Sequence, residues 1–283
     1  SAAIMDGAPK VFTAQQYDGF RNEIVKKFGW AASVKGFLDW GKDLVLCEGD
    51  LDDPRGKLNP KEGWVWVKAS HELYGVAVSR SPLGLPNMRV QGDRVVFINP
   101  AGEVKSVLGI HQGRRLGEIQ GDVSLLSGPE FGLICRTEGN NLSDIFLLTD
   151  RLTRLDGIPP VLGKITSLEA SFSKKFAWLF IVAEPEGNPM GYTMVFNRQG
   201  GILGFQAQDI RNRKEWIGSR TTCAYDLATS GGAPGLAGIG PSGEVQRLTC
   251  EKFAIKTYKT ASPGAKGVPW MLLADEGELF GVW

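Results

Sequence analysis

The chain has 283 residues, enough for one large all-β domain or two ordinary ones. Its 42% hydrophobic and 22% charged residues match a globular protein with a substantial core. A net charge of +1 removes any whole-chain electrostatic case for binding nucleic acid or a membrane surface, so such a case needs a local patch.

From the N-terminus, residues 1–11 read as a tag remnant and a flexible lead, with SAAI preceding a natural start at Met5. No basic segment followed by an apolar one is present there, so no secretory signal is read. Residues 12–30 are expected to form a helix. Thr13 and Gln16 make a capping-box pattern, Tyr17, Phe20, Ile24 and Phe28 share one stripe, and Gly29 supplies the stop.

From residue 34 the period becomes that of strands, with apolar or alternating runs broken by Gly, Pro, Asn or Asp every eight to twelve residues or so. This pattern predicts an all-β fold. Residues 64–108, 123–155 and 165–205 each read as four strands in sequence, with a weaker copy over 222–258. Their turn centres near 101, 151, 199 and 242 are 50, 48 and 43 residues apart, the rhythm of β-propeller blades. The run AWLFIVA (177–183) is then a strand of the third unit, buried on both faces, with Lys174 and Lys175 in its turn. It is neither a catalytic strand nor a membrane span, since a span needs about 18 or more apolar residues.

Residues 34–48 and 268–283 supply two strands each, and pairing them would close a last blade shared between the two ends. The expectation is therefore one propeller domain over 34–283 with five blades. Six or seven blades follow if the chain is part of something longer, and an irregular β-sandwich is the alternative. The strand order resembles propellers in general, a likeness that implies no function.

Catalytic and metal-binding patterns are sparse. His71 lies in an expected turn, and His111 in an expected connector beside two arginines that would disfavour its protonated form. No GxSxG, HExxH, Cys/His cluster or P-loop occurs. Glu48, Asp50, Asp52 and Asp53 form an acidic stretch that lacks the glycine and distal glutamate of a calcium loop. Residues 231–243 are glycine-rich but carry no lysine and lead into a strand, so their glycines are read as turn formers. No metal and no cofactor is expected. Cys47, Cys135, Cys223 and Cys250 show no pairing motif and read as buried free thiols in a reducing compartment. Asp39, Asp144, Glu169, Asp226 and Asp275 lie near strand ends. Two carboxyls facing each other in a central funnel would make a glycoside hydrolase, and that is the alternative function.

The connectors carry the uneven chemistry. Residues 109–121, 208–220 and 258–267 would emerge on one face of a propeller. They bring Arg114, Arg115, Arg211, Arg213, Lys214, Arg220, Lys259 and Lys266 together, with Trp216 among them. Arginine beside an aromatic suits carboxylate, phosphate or peptide recognition. Trp64, Trp66 and Trp178 fall in strands, whereas Trp30, Trp40, Trp216 and Trp283 fall near loops or ends, where exposure favours an interface. The sequence thus reads as a non-enzymatic, cytoplasmic protein-interaction or structural scaffold module of a larger assembly. Its partner would be a protein, held by Arg114, Arg115, Arg211, Arg213, Lys214, Trp216 and Arg220. Nucleic acid is disfavoured, no membrane span is expected, and glycan is the alternative ligand.

Overall fold

A computed structural model describes residues 10–11, 32–40, 44–51, 64–67, 72–75, 78–92, 94–108, 111–212, 216–227, 232–240, 244–259, 271–275 and 278–282. The helix expected over 12–30 lies outside these residues, as do Arg213, Lys214 and Lys266.

Alternating and apolar runs become antiparallel meanders, each strand pairing with the next in sequence. The first sheet has the order β1-β2-β3-β4-β5, formed by Lys10–Val11, Ala32–Trp40, Leu44–Leu51, Trp64–Val67 and Glu72–Gly75. Four sheets of four strands follow. They are β6 to β9 (Met88–Gln91, Arg94–Ile98, Glu103–Leu108, His111–Glu118) and β10 to β13 (Asp122–Ser127, Gly132–Glu138, Asn141–Leu148, Leu152–Arg154). Next come β14 to β17 (Lys164–Phe172, Phe176–Glu184, Met190–Asn197, Ile202–Asp209) and β18 to β21 (Thr221–Asp226, Pro234–Ile239, Val245–Glu251, Ala254–Lys259). Met271–Asp275 (β22) and Glu278–Val282 (β23) form a two-stranded sheet. Among the described residues, helix is confined to short 3₁₀ turns at Pro185–Gly187 and Ile217–Ser219.

Three of the four expected four-strand frames match observed sheets to within a few residues: 123–155, 165–205 and 222–258. The frame 64–108 does not. Its first hairpin is β4–β5, which pairs back onto β3 through Leu44↔Val67 and Cys47↔Trp64, and the strands after residue 87 make a separate sheet. The expected pairing of 34–48 with 268–283 is likewise corrected, since β2 and β3 belong to the first sheet and β22–β23 is a sheet of its own. Strand rhythm counts strands but does not say which turn ends a sheet, because both kinds of turn use the same residues. Lys10 and Val11, expected in a flexible lead, pair with Asp39 and Leu38.

The chain divides into two compact units, one built around Asp6–Leu125 with Asp150–Leu152, the other around Leu126–Thr149 and Thr153–Trp283. In the first, Val95, Val96, Phe97, Ile98, Val104 and Val107 make the apolar centre of the β6–β9 sheet. Asn87, 1% exposed, fixes the start of β10 there. Its amide donates to the Val123 carbonyl at 3.0 Å and its oxygen accepts from the Leu125 N–H at 3.0 Å.

In the second unit the sheets stack in series: β12 lies against β14, β14 and β15 against β18, and β22 against β18 and β19. Alternation along β14 and β15 divides their side chains between two neighbours. Phe172 meets Phe131 edge-on toward the preceding sheet, with ring centroids 5.4 Å apart. Trp178, Phe180 and Val182 point the other way, into a cluster with Ala224, Leu236, Leu248 and Cys250 of the following sheet. AWLFIVA is thus buried on both faces, as its composition indicates. The turn before it is held by the Ser173 hydroxyl, which accepts from the Phe176 N–H at 3.0 Å and donates to Asp226 at 2.6 Å.

Cys135, Cys223 and Cys250 are free and buried. Burial pushes the first two thiols up to about 12, and burial with the nearby Glu251 carboxylate pushes Cys250 up to about 11. At pH 8 these three should therefore resist a water-soluble disulfide reagent in the folded protein and react at once in denaturant. Colorimetric thiol counting checks this, and release of their three equivalents from the native state would contradict their burial.

Candidate functional site

The connector from β17 to β18 was expected to present a basic, aromatic surface. The structure separates those properties. Trp216 is 4% exposed and, with Ile210 and Ile217, enters the cluster between the β14–β17 and β18–β21 sheets. Its ring meets Phe180 edge-to-face with centroids 6.1 Å apart. It fits because Gly191 and Gly218 have no side chains: a Cβ there would come within 2.7 Å and 2.6 Å of the indole. The Ser219 hydroxyl donates to the Trp216 carbonyl at 2.8 Å and closes the 3₁₀ turn behind it. Trp216 is therefore a core residue, not a contact offered to a partner.

The expected cations also differ from one another. Arg211 is exposed and folds back on Asp209, donating its backbone N–H at 3.0 Å and its Nε at 2.9 Å to the carboxylate. Those hydrogen bonds and charges hold Asp209 low and Arg211 high. Arg220 is nearly buried, only 7% of its side chain exposed, with Nη2 3.4 Å from Glu244. Arg114 and Arg115 lie not on a connector, as expected, but on strand β9, because residues 111–118 pair with β8. Arg114 is exposed; Arg115 reaches Glu118 at 2.5 Å and Glu103 at 3.4 Å.

Of the candidate carboxylates, Asp144 is 5% exposed and held by two arginines. Arg136 Nε donates at 2.7 Å and Arg154 Nε at 2.7 Å, with Arg136 also reaching Glu138 at 3.1 Å. Asp226 accepts the Ser173 hydroxyl. Glu169 is raised by burial. The side chains of Asp39 and Asp275 lie outside the described set.

A feature that residue counting passed over lies at the other end of the last four-stranded sheet. Glu251 pairs with Ala254, so Lys252 and Phe253 alone form the turn between β20 and β21, with φ of 49° and 68°. Two left-handed residues in a two-residue hairpin make a type I′ turn, which favours Asn and Gly. The β11–β12 hairpin obeys that rule, placing Gly139 and Asn140 at φ 56° and 66° between the paired Glu138 and Asn141. Lys252 and Phe253 do not, and each holds a conformation costing about 1–2 kcal/mol for an L-residue. The Phe253 backbone bridges to Gly204, and the Cys250 thiol donates to the Leu203 carbonyl at 3.1 Å, which together anchor the turn. The Phe253 side chain gains no burial from this, being 53% exposed.

The register extends the exposed surface along the hairpin. Arg247 faces Tyr258 and Thr249 faces Lys256, so these four side chains share one side of the sheet. Leu248, Cys250 and Ile255 occupy the opposite, packed side. Arg247 and Lys256 are exposed, Tyr258 is 49% exposed, and Lys256 contacts Glu251 at 3.1 Å. β22 packs on β18 and β19, the first half of this sheet. The sequence signal was an omission: TCEKFAIK joins two strands with no Gly, Asn, Asp or Pro between them.

No family model and no curated protein matches the chain. Similar solved structures include BamB from Moraxella catarrhalis, 12% identical over 88% of this chain and 78% of that one, with a TM-score of 0.29. Another is PorZ from Porphyromonas gingivalis, a surface component of the type-IX secretion system. It is 10% identical over 89% of this chain and 44% of that one, with a TM-score of 0.20. Superpositions this loose leave the fold to rest on the chain's own strand pairings.

Proposed function

We propose that this chain is a non-enzymatic protein-interaction or structural module whose successive meander sheets are blades of a β-propeller. Among the described residues, the sheets β1–β5, β6–β9, β10–β13, β14–β17 and β18–β21 and the short β22–β23 sheet would serve as such blades, where the sequence reading expects five. Serial face-to-face stacking within the second unit supports this reading. The observation that carries the functional part is the β20–β21 hairpin, where Phe253 and Tyr258 stand exposed on a rigid strand pair beside Arg247, Lys252 and Lys256. Aromatic and cationic side chains held on a fixed scaffold suit protein recognition, because little side-chain entropy is lost on contact. Arg114 and Arg115 are exposed in the first unit and Arg211 in the second, so each unit offers its own candidate partner surface, with Trp216 and Arg220 packed inside the second. Three buried free thiols suit a reducing, cytoplasmic setting.

A glycan-cleaving module would need two free carboxyls across a sugar. Asp144 and Asp226 are both engaged by neighbouring side chains, so this reading gains no support from them. Among the described residues no helix is long and apolar enough to cross a membrane.

Affinity purification of the intact protein from its native cells, read by mass spectrometry, tests the module. A stoichiometric protein partner is expected, with recovery reduced by the charge reversals R114E/R115E or R211E. Elution as a free monomer with no stoichiometric partner would overturn the reading.

A further inference from the structure

We propose that β21 is a docking edge for an extended acidic peptide of a protein partner, which joins the sheet as a further strand. This rests on the reading of the chain as an interaction module and specifies the chemistry of what it holds.

Three independent observations converge on this strand. First, β21 ends its sheet. Among the described residues no strand is ladder-paired along its outer side beyond the single bridge from Phe253 to Gly204 of β17, which packs against β20 and β21. An edge row of N–H and C=O groups is a template for strand addition unless it is blocked; β21 carries no proline or bulge, and its Lys256 guards the edge against basic strands while leaving it open to acidic ones.

Second, the turn leading into β21 is made of the wrong residues for its geometry. Asn and Gly would relieve both left-handed positions, as Gly139 and Asn140 do elsewhere in the same chain. Backbone strain kept without burial in return is the mark of a residue retained for what its side chain meets. Here that side chain is an exposed phenylalanine at the entrance to an open edge, with Tyr258 further along the strand.

Third, the charge is one-sided. Among the described side chains, Arg247, Lys252 and Lys256 stand exposed on this hairpin against a single acid, Glu251, in a chain whose net charge is only +1. An added strand presents alternate residues to the side where Arg247, Lys256 and Tyr258 lie, so acidic residues at alternate positions would meet cations there. Basic strands, including other copies of β21, would be repelled by the same charges.

The probe is a fluorescein-labelled heptapeptide of alternating glutamate and valine, titrated into the full chain by fluorescence anisotropy. Saturable binding is expected, and at least about tenfold weaker binding for the lysine–valine counterpart. N-methylation of the amides along one edge of the peptide should abolish binding, since strand addition requires those donors. The decisive variant is K252N/F253G, which installs the residues the turn prefers. It should raise the melting temperature by a few degrees and yet weaken peptide binding by at least about tenfold. R247E, an exposed change with little effect on folding, should weaken binding without altering stability.

Equal binding of the acidic and basic peptides would overturn the proposal, as would unaffected binding of the N-methylated peptide or an unchanged affinity in K252N/F253G. Equal competition by a single-stranded oligonucleotide would overturn the peptide assignment. A native partner captured without any peptide binding sinks the docking edge alone, whereas the absence of a stoichiometric partner sinks the module reading itself.

Discussion

Replacing Trp216 by alanine should destabilise the protein by about 3–5 kcal/mol, the cost of an aromatic-to-alanine cavity that cannot collapse. The site has little room to relax. Gly191 and Gly218 already sit against the indole as backbone, so no side chain there can move in to fill the space. Phe180 would lose its edge-to-face neighbour, and Ile210 and Ile217 would be left lining the hole. For a chain of this size the loss corresponds to roughly 6–20 °C in melting temperature, measurable by calorimetry or circular dichroism. Trp216→Phe should recover part of it. A variant that melts within a degree or two of the parent would show that Trp216 is a surface residue after all, and would restore it to the partner-facing set.

The second large effect is expected at Asp144. Burial by itself would raise its carboxyl, but the hydrogen bond and charge of Arg136, joined by Arg154, outweigh burial and hold it below the usual carboxylate range. Asp144→Ala removes an acceptor shared by two guanidinium groups, and should cost about 2–3 kcal/mol. The figure stays below that of a fully buried pair because Arg154 is 69% exposed and can return to water. The linkage has a definite sign. A carboxyl lowered in the folded state stabilises it above the unfolded pKa, and that contribution fades as pH falls through the folded value. Parent and Asp144→Ala should therefore differ most near neutrality and converge toward strong acid. A constant difference across that range would assign the effect to packing instead of charge. A double-mutant cycle with Arg154→Ala, which touches Asp144 through the exposed partner, separates the coupling from the loss of either residue.

Both effects bear on function through rigidity. Trp216 locks two successive sheets together, and Asp144 ties strands β11, β12 and β13 through their arginines. Residues exposed on such sheets, Phe253 and Tyr258 among them, are then presented at fixed spacing.

Much of this fold can be read along the chain. Alternation in 165–205 gives the β14–β17 sheet within a few residues, and the apolar run at 177–183 gives a strand buried on both sides. Gly139 and Asn140 mark their turn by type. Each of these features depends on residues close in sequence, whose side-chain period and turn preference are local properties of the backbone. The connector at 208–220 failed for the opposite reason. Its arginines, lysine and tryptophan look like one surface in sequence, yet the indole is apolar enough to be drawn inward while Arg211 stays in water. Nothing local records that Gly191, more than twenty residues earlier, leaves the space that receives it. Arg114 and Arg115 became strand residues because β8 lay alongside them, which is again a fact about a neighbour.

The amino-acid sequence alone thus determined that the protein is built of short antiparallel strands, roughly where those strands lie, and that Cys135, Cys223 and Cys250 are buried among them. The tertiary structure decided which strands share a sheet, which cations are tied to acids, and which aromatics are exposed. Those outcomes depend on hydrogen bonds and contacts between distant segments, and their free energies exist only once the segments meet. The turn at Lys252 and Phe253 joins the two levels. Its residues run against the local rule, and only the neighbouring sheet at Gly204 shows how the chain holds them there.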